Sequence, residues 1–199
     1  RDYKVYLFDR RENIGEDITI RELASDIAMA MDFLEIQSAD VFGVSQGGMI
    51  AQYLAIDRPG LVNKLLLAMP LSKNNESLAA AISDRMRVTE QNDRKNLVKD
   101  MAEKMYTDSY VRKYKYFMPL LTILQKPKNV PRFITLAKAN LTCNSYDELE
   151  KIQCPVFVIG GLQDKVTGGE ASIEIAEKLG CKCFIYDDLG HAAYEEAKD

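Results

Sequence analysis

The sequence is poor in the residue types from which metal sites, disulfide scaffolds and membrane spans are built. Its 199 residues include one histidine, no tryptophan and four cysteines. The cysteines show no C-x-x-C spacing, so a zinc site has few ligands to draw on. A small secreted disulfide scaffold is also disfavoured, and reduced, structural thiols predict a cytoplasmic protein. No apolar run approaches the roughly 18 residues of a transmembrane helix, so neither a metal nor a membrane span is expected.

An excess of positive charge is also absent. Lysine and arginine total 26 against 30 aspartates and glutamates, which gives a net charge of −4. Proteins that bind nucleic acid or an anionic membrane usually carry a basic patch, so neither partner is predicted. With 47% hydrophobic residues, the chain is long enough for one domain with a sizeable core. Composition leaves the oligomeric state open.

Strand-like and helix-like segments alternate in the first third and the last quarter of the chain. Thr19 and Glu22 form a capping box at the start of an apolar pattern with helical spacing. The alternation predicts an α/β fold with a doubly wound, mostly parallel sheet, whose chemistry gathers at the carboxyl ends of the strands. The predicted strands are residues 5–8, 41–44, 61–69, 155–159 and 183–186.

The middle of the chain has a different character, because helical patterns dominate from about residue 72 to residue 149. The predicted helices there are residues 78–88, 97–106, 110–124 and 130–141. This segment reads as a helical insertion that divides the α/β core. The predicted organisation is therefore a first core part at 1–71, the insertion at 72–149, and a second core part at 150–199.

The stretch that organises the chain is the turn after the second predicted strand. Gly43, Ser45 and Gly47 fit the G-x-S-x-G nucleophile elbow, with a strand before and a helix after. In such a turn the serine is strained and its hydroxyl is exposed at the sheet edge. Both glycines are expected to be needed because a Cβ would collide with the neighbouring strand or helix. The plain alternative is a glycine-rich turn in an ordinary βα unit.

His191 and Asp164 complete a candidate catalytic set. A serine hydroxyl needs an imidazole to take its proton, and the imidazole needs a carboxylate to orient it. His191 is the only histidine, and each of the two residues follows a predicted strand. A lone histidine is more often structural or exposed, and a loop aspartate often caps a helix. The order serine, aspartate, histidine is nevertheless that of α/β-hydrolases.

On these residues the sequence resembles the α/β-hydrolase superfamily, in its esterase and lactonase-like branch. Residues 43–49 resemble the elbow, 161–166 the acid loop and 189–191 the histidine loop. The resemblance implies that Ser45 is the nucleophile, His191 the general base and acid, and Asp164 its orienting carboxylate. It also implies that the Gln46 backbone N–H is an oxyanion donor and that residues 72–149 are a helical cap. Asp187 and Asp188 are alternative acids that lie very near His191 in sequence.

The chain departs from the family pattern at both ends. The family has further strands and a His-Gly oxyanion loop before the segment that matches residues 5–8, and it has a complete last helix after residue 192. In the family's strand order, one of those strands separates residues 5–8 from residues 41–44, and such a gap leaves backbone groups unpaired. We therefore expect these 199 residues to be part of a longer protein.

The expected activity is hydrolysis of a small or medium carboxylic ester or lactone, without metal or cofactor. Thioester cleavage, other acyl transfer and aminopeptidase-like amide cleavage use the same machinery and stay open. A hydrolase-fold module that captures a ligand with little turnover is the alternative from another class. Apolar and aromatic cap side chains would shape the substrate pocket, although packing of the cap on the core explains them equally well: Met105, Tyr106, Tyr116, Phe117 and Leu121.

Overall fold

In the part of the chain that the structure describes, four parallel strands form one sheet. The computed structural model describes residues 3–91, 94–117 and 129–197. The strands lie in the order β1-β2-β3-β4, and each neighbouring pair is parallel. This arrangement confirms the predicted α/β class with a parallel sheet. The strands are β1 (Ala39–Val44), β2 (Val62–Ala68), β3 (Val156–Gly161) and β4 (Lys182–Tyr186).

Helices precede, connect and follow the strands, as a parallel sheet requires. Within residues 3–91, 94–117 and 129–197, one helix precedes β1, one connects β1 to β2, four lie between β2 and β3, one connects β3 to β4, and a short one follows β4. They are α1 (Ile20–Phe33), α2 (Gln46–Asp57), α3 (Glu76–Glu90), α4 (Arg94–Met105), α5 (Asp108–Tyr114), α6 (Val130–Ala139), α7 (Ala171–Leu179) and α8 (Ala193–Glu196).

The two faces of the sheet differ in burial. Side chains alternate between faces along a strand, and the strand register puts Leu65, Leu67 and Val158 on one face, where all three are buried. Phe42 and Phe184 lie on the other face and are 58% and 52% exposed. The buried face belongs to the main hydrophobic core, which also includes residues from α1, α2 and α7. This core fixes the carboxyl ends of β1, β3 and β4 relative to one another.

The first helix begins as its sequence predicts. The Thr19 hydroxyl accepts from the Glu22 N–H, while the Glu22 carboxylate accepts from the Thr19 N–H at 2.8 Å. The capping box therefore satisfies two donors that the first helical turn leaves free. Ile20, Leu23 and Met31 then bury one face of α1 in the core.

The predicted strand at residues 5–8 is wrong. Residues 3–10 have no regular secondary structure, and Val5 and Leu7 are 76% and 94% exposed. A strand is stable only when its backbone groups pair with a neighbour, and within the described residues β1 pairs with β2 alone. The apolar residues of the segment favour a strand, but a strand also needs a pairing partner, and no described segment pairs with residues 5–8.

Helices occupy most of the described residues between 72 and 149, the predicted insertion, and their boundaries differ from the predicted ones. The helix predicted at 110–124 ends at Tyr114 and is followed by a turn, and the end of that range, with Leu121, lies outside the described residues. The helix predicted at 130–141 ends at Ala139 and tightens into a 3₁₀ turn at Asn140–Thr142. Buried Gln52 of α2 joins the ends of this segment to the core, donating to the Leu71 carbonyl and accepting from Ser145.

Candidate active site

Ser45 lies in the tight turn between β1 and α2. Its φ of 53° and ψ of −119° lie outside the regions that non-glycine residues usually occupy, at a cost of roughly 1–3 kcal/mol. The turn is held because the Ser45 N–H continues the sheet by donating to the Ala68 carbonyl at 2.9 Å, and the Ser45 carbonyl accepts from the N–H groups of Gly48 and Met49. The strained backbone thus presents the hydroxyl at the carboxyl edge of the sheet.

The two glycines of the elbow have different roles. A Cβ on Gly43 would lie 2.5 Å from the Gly47 carbonyl oxygen and 2.7 Å from the Gly48 Cα, so the close approach of β1 to α2 requires glycine there. A Cβ on Gly47 would have no neighbour within 4 Å. The expectation that both glycines avoid a collision is therefore correct for Gly43 and wrong for Gly47, whose Cα–H already points into open space.

Substituting alanine at Gly43 and at Gly47 is expected to affect stability differently. We expect Gly43→Ala to destabilise the protein by at least the roughly 1–3 kcal/mol typical of overpacking, because the obstructing atoms are backbone and cannot move aside. Gly47→Ala should keep or slightly raise stability, since alanine is the better helix former. Urea unfolding of the two variants measures the difference, and equal losses would contradict the assigned contact.

His191 follows β4 and its ring lies against the serine. His191 as a whole is 4% exposed, and its imidazole Nε2 lies 2.8 Å from the Ser45 Oγ. The Ala192 N–H donates to the Met105 carbonyl at 2.8 Å, so the end of α4 holds the histidine loop from the side of the insertion. The only histidine in the sequence is therefore in direct contact with the candidate nucleophile.

Asp164 follows β3 and binds the other side of the same ring. Its Oδ2 lies 2.7 Å from the His191 Nδ1 and also accepts from the Thr167 hydroxyl at 2.7 Å, while Oδ1 accepts from the N–H groups of Val166 and Thr167. Burial alone would raise the pKa of Asp164, but the hydrogen bond from His191 and the bonds from Thr167 together hold it below its ordinary value.

This ionised carboxylate determines the tautomer of the histidine. A carboxylate can only accept hydrogen bonds, so the Nδ1 of His191 carries the proton and donates it to Asp164. The Nε2 is then free to accept the hydroxyl proton of Ser45 across 2.8 Å. The alternative acids Asp187 and Asp188 are both exposed, and Asp164 is the carboxylate that contacts the ring.

Gln46 is the first residue of α2, so its backbone N–H has no carbonyl partner within the helix. Helix N-termini offer such free donors together with a partial positive charge. The N–H therefore belongs to the group of donors beside Ser45 that could stabilise an oxyanion. The Gln46 side chain is engaged elsewhere, since its amide nitrogen donates to the Leu136 carbonyl and the Asn140 side chain, each at 2.7 Å.

The predicted pocket residues of the insertion lie in different surroundings, since some contact the region of His191 and others are exposed. The Met105 backbone contacts the histidine loop, and the Tyr106 hydroxyl donates to the Glu195 carboxylate. Burial and that hydrogen bond raise the pKa of Tyr106. Tyr116 and Phe117 are 81% and 61% exposed. Leu121 is outside the described residues, and the assignment of the five side chains to a substrate pocket stays a prediction.

Three polar residues that support the candidate site were missed by sequence reasoning. Thr167 binds Asp164 through its hydroxyl and its N–H, and its position three residues after an aspartate is a recognisable turn signal. Asn140 binds the Gln46 side chain, and the Asn75 amide donates to the Thr167 carbonyl at 2.6 Å. The last two contacts join residues more than 90 positions apart, so local sequence gives no sign of them.

The structure offers no evident metal centre or membrane-spanning helix in the part of the chain that it describes. No group of three histidine, cysteine, aspartate or glutamate side chains there is arranged to hold a metal ion. Similarly, in residues 3–91, 94–117 and 129–197 no helix has the length and apolar character needed to cross a bilayer.

Comparison with known sequences gives the family. The family model of the alpha/beta hydrolase fold matches residues 1–198. The chain belongs to the α/β-hydrolase family. Among curated relatives of this hydrolase-family chain, 3-oxoadipate enol-lactonase 2 of Acinetobacter baylyi is 26% identical over 148 residues, which cover 74% of the chain and 55% of the relative. The chain thus spans little more than half the length of that lactonase.

Solved structures agree with the family assignment. An alpha/beta hydrolase enzyme from a Medee basin deep-sea metagenome library superimposes with a TM-score of 0.85 at 20% identity, covering 92% of this chain and 69% of that one. The enol-lactonase of Burkholderia xenovorans has a TM-score of 0.77 at 18% identity, covering 93% and 70%. These likenesses confirm the α/β-hydrolase fold.

Proposed function

We propose that this α/β-hydrolase cleaves a small or medium carboxylic ester or lactone through an acyl–Ser45 intermediate. The observation that carries the proposal is the continuous relay from Ser45 Oγ to His191 Nε2 at 2.8 Å and from His191 Nδ1 to Asp164 Oδ2 at 2.7 Å. Two relatives whose names describe enol-lactonases support the substrate class. The nucleophile, the base and the carboxylate that orients it all belong to the chain, and the proposed reaction uses no cofactor.

The first half of the proposed reaction forms the acyl-enzyme. His191 Nε2 takes the Ser45 hydroxyl proton as the oxygen attacks the substrate carbonyl carbon, and Asp164 stabilises the resulting imidazolium. The carbonyl oxygen becomes an oxyanion that accepts from the Gln46 N–H. Collapse of the tetrahedral intermediate breaks the carbon–oxygen bond, and His191 returns the proton to the departing alkoxide. When the substrate is a lactone, the ring opens and the alcohol stays attached to the acyl group on Ser45.

The second half restores the enzyme. A water molecule gives its proton to His191 Nε2 as its oxygen attacks the acyl carbon, and the second tetrahedral intermediate expels the Ser45 oxygen, which takes the proton back. The products are a carboxylic acid and an alcohol, or one hydroxy acid from a lactone. Each step uses the tautomer that Asp164 imposes on His191.

The experiment that tests this function is a substrate panel with a matched variant. Initial rates would be measured on p-nitrophenyl esters of increasing acyl length, on aliphatic lactones by pH-stat titration, and on thioester and anilide analogues. We expect multiple turnovers on esters or lactones that Ser45→Ala abolishes. Faster cleavage of thioesters or anilides would move the assignment to those classes. A single stoichiometric burst without turnover would favour the ligand-capturing alternative.

A further inference from the structure

The side chain after the candidate nucleophile makes an unusual connection to the insertion. Gln46 uses its amide nitrogen to donate both to the Leu136 carbonyl and to the Asn140 Oδ1, each at 2.7 Å. Leu136 lies in the last turn of α6, and Asn140 is the C-terminal cap of that helix. Both protons of one amide are therefore committed to the end of a single helix that lies 90 or more residues away in sequence.

The same residue carries the proposed oxyanion donor on its backbone. The N–H of Gln46 belongs to the peptide that follows Ser45, whose φ of 53° is a strained value for a serine. Donors stabilise a developing oxyanion only when they point at it within a fraction of an ångström. A side chain fixed by two hydrogen bonds restrains the Cα of Gln46 and, through it, the plane of that peptide.

We propose that Gln46 is a positioning residue, and that its side-chain link to Leu136 and Asn140 holds the oxyanion donor in place and couples helix α6 to the nucleophile elbow. The proposal rests on the proposed serine-hydrolase function. The consequence is that a movement of α6 would shift the oxyanion donor through these two contacts. Gln46 acts here through its own backbone donor, and Asn140 acts through Gln46.

The chain provides a matched control for this role in Gln52, which lies two turns further along the same helix. Gln52 is buried, whereas Gln46 is half-buried, and Gln52 likewise ties α2 to distant segments by donating to the Leu71 carbonyl and accepting from Ser145 at 2.8 Å. Its backbone N–H is inside the helix and does not face the serine. A methionine of similar volume removes the amide at either position and leaves the packing nearly filled.

The test compares Gln46→Met, Asn140→Leu and Gln52→Met with the parent chain. The measurements are kcat and KM for p-nitrophenyl acetate, the second-order rate of labelling by a fluorophosphonate, and thermal unfolding. We expect Gln46→Met to lower kcat and the labelling rate by about ten- to hundredfold with KM nearly unchanged. Asn140→Leu should show part of the same loss, and Asn140→Asp, which keeps the acceptor oxygen, should lose less than Asn140→Leu.

The control and the double variant separate positioning from stability. Gln52→Met should lower the unfolding temperature at least as much as Gln46→Met while kcat stays near the parent value. Combining Gln46→Met with Asn140→Leu should cost little more than Gln46→Met alone, since both remove one link. Unchanged kcat in Gln46→Met, with labelling that still depends on Ser45, would overturn this proposal alone. Absence of any labelling in the parent chain would overturn the proposed function and this inference with it.

Discussion

Replacing His191 by glutamine is expected to lower kcat for ester hydrolysis by about 10⁶-fold. Glutamine still forms hydrogen bonds to neighbours, but its amide cannot take the Ser45 proton across the 2.8 Å that separates Nε2 from Oγ. No other imidazole can substitute, because His191 is the only histidine in the sequence. The measurement is steady-state hydrolysis of p-nitrophenyl acetate, with circular dichroism to confirm folding.

Because Ser45 and His191 are proposed to act together in one step, the double variant supplies the control for this prediction. Ser45→Ala should cause a loss of similar size, and the double variant Ser45→Ala with His191→Gln should be no worse than either single variant, because one attack step requires both groups. Additive losses would mean that the two side chains act in separate steps, which contradicts the proposed relay. Retention of most of the activity in His191→Gln would exclude its role as base.

Replacing Asp164 by asparagine is expected to lower kcat by about 10⁴-fold with little change in fold. The asparagine oxygen can still accept from the N–H groups of Val166 and Thr167, which bind Oδ1 in the parent chain. Its NH₂ group would then face the His191 ring and favour the tautomer with the proton on Nε2. That tautomer cannot accept the serine proton. Steady-state kinetics and imidazole NMR signals, which come from one residue, measure both effects.

The neighbouring acids of the histidine loop are the matched controls for Asp164. Asp187 and Asp188 lie closer to His191 in sequence, yet both are exposed, whereas Asp164 is 6% exposed and in contact with the ring. We expect Asp187→Asn and Asp188→Asn to keep kcat close to that of the parent chain. A larger loss in either of these variants than in Asp164→Asn would mean that the orienting carboxylate lies in the histidine loop and is not Asp164.

Local patterns were sufficient to predict the elements that position the candidate site. The apolar runs before Ser45 and Asp164 are strands that pair with parallel neighbours in the sheet. The capping box of Thr19 needs only four consecutive residues. Ser45, Asp164 and His191 could be selected because parallel strands bring their carboxyl ends to one edge. Those predictions rest on periodicity and chain order, which a sequence contains.

Predictions that depend on a distant partner were wrong or were not made. Residues 5–8 have strand-like side chains but no ladder to join, and the space beside the Gly47 Cα could not be known before the turn was built. The Gln46 contact with Asn140 joins residues 94 positions apart. Side-chain packing between the insertion and the loops of the core is likewise absent from local sequence, so residues in contact with substrate could only be guessed.

The central claim is that Ser45 is an activated nucleophile, and covalent labelling tests it most directly. The chain and its Ser45→Ala variant would each be incubated with a fluorophosphonate and measured by intact-mass spectrometry. The relay through His191 and Asp164 predicts a single adduct on the parent chain and none on the variant. An unlabelled parent chain, or a variant labelled to the same extent as the parent, would contradict the assignment of Ser45.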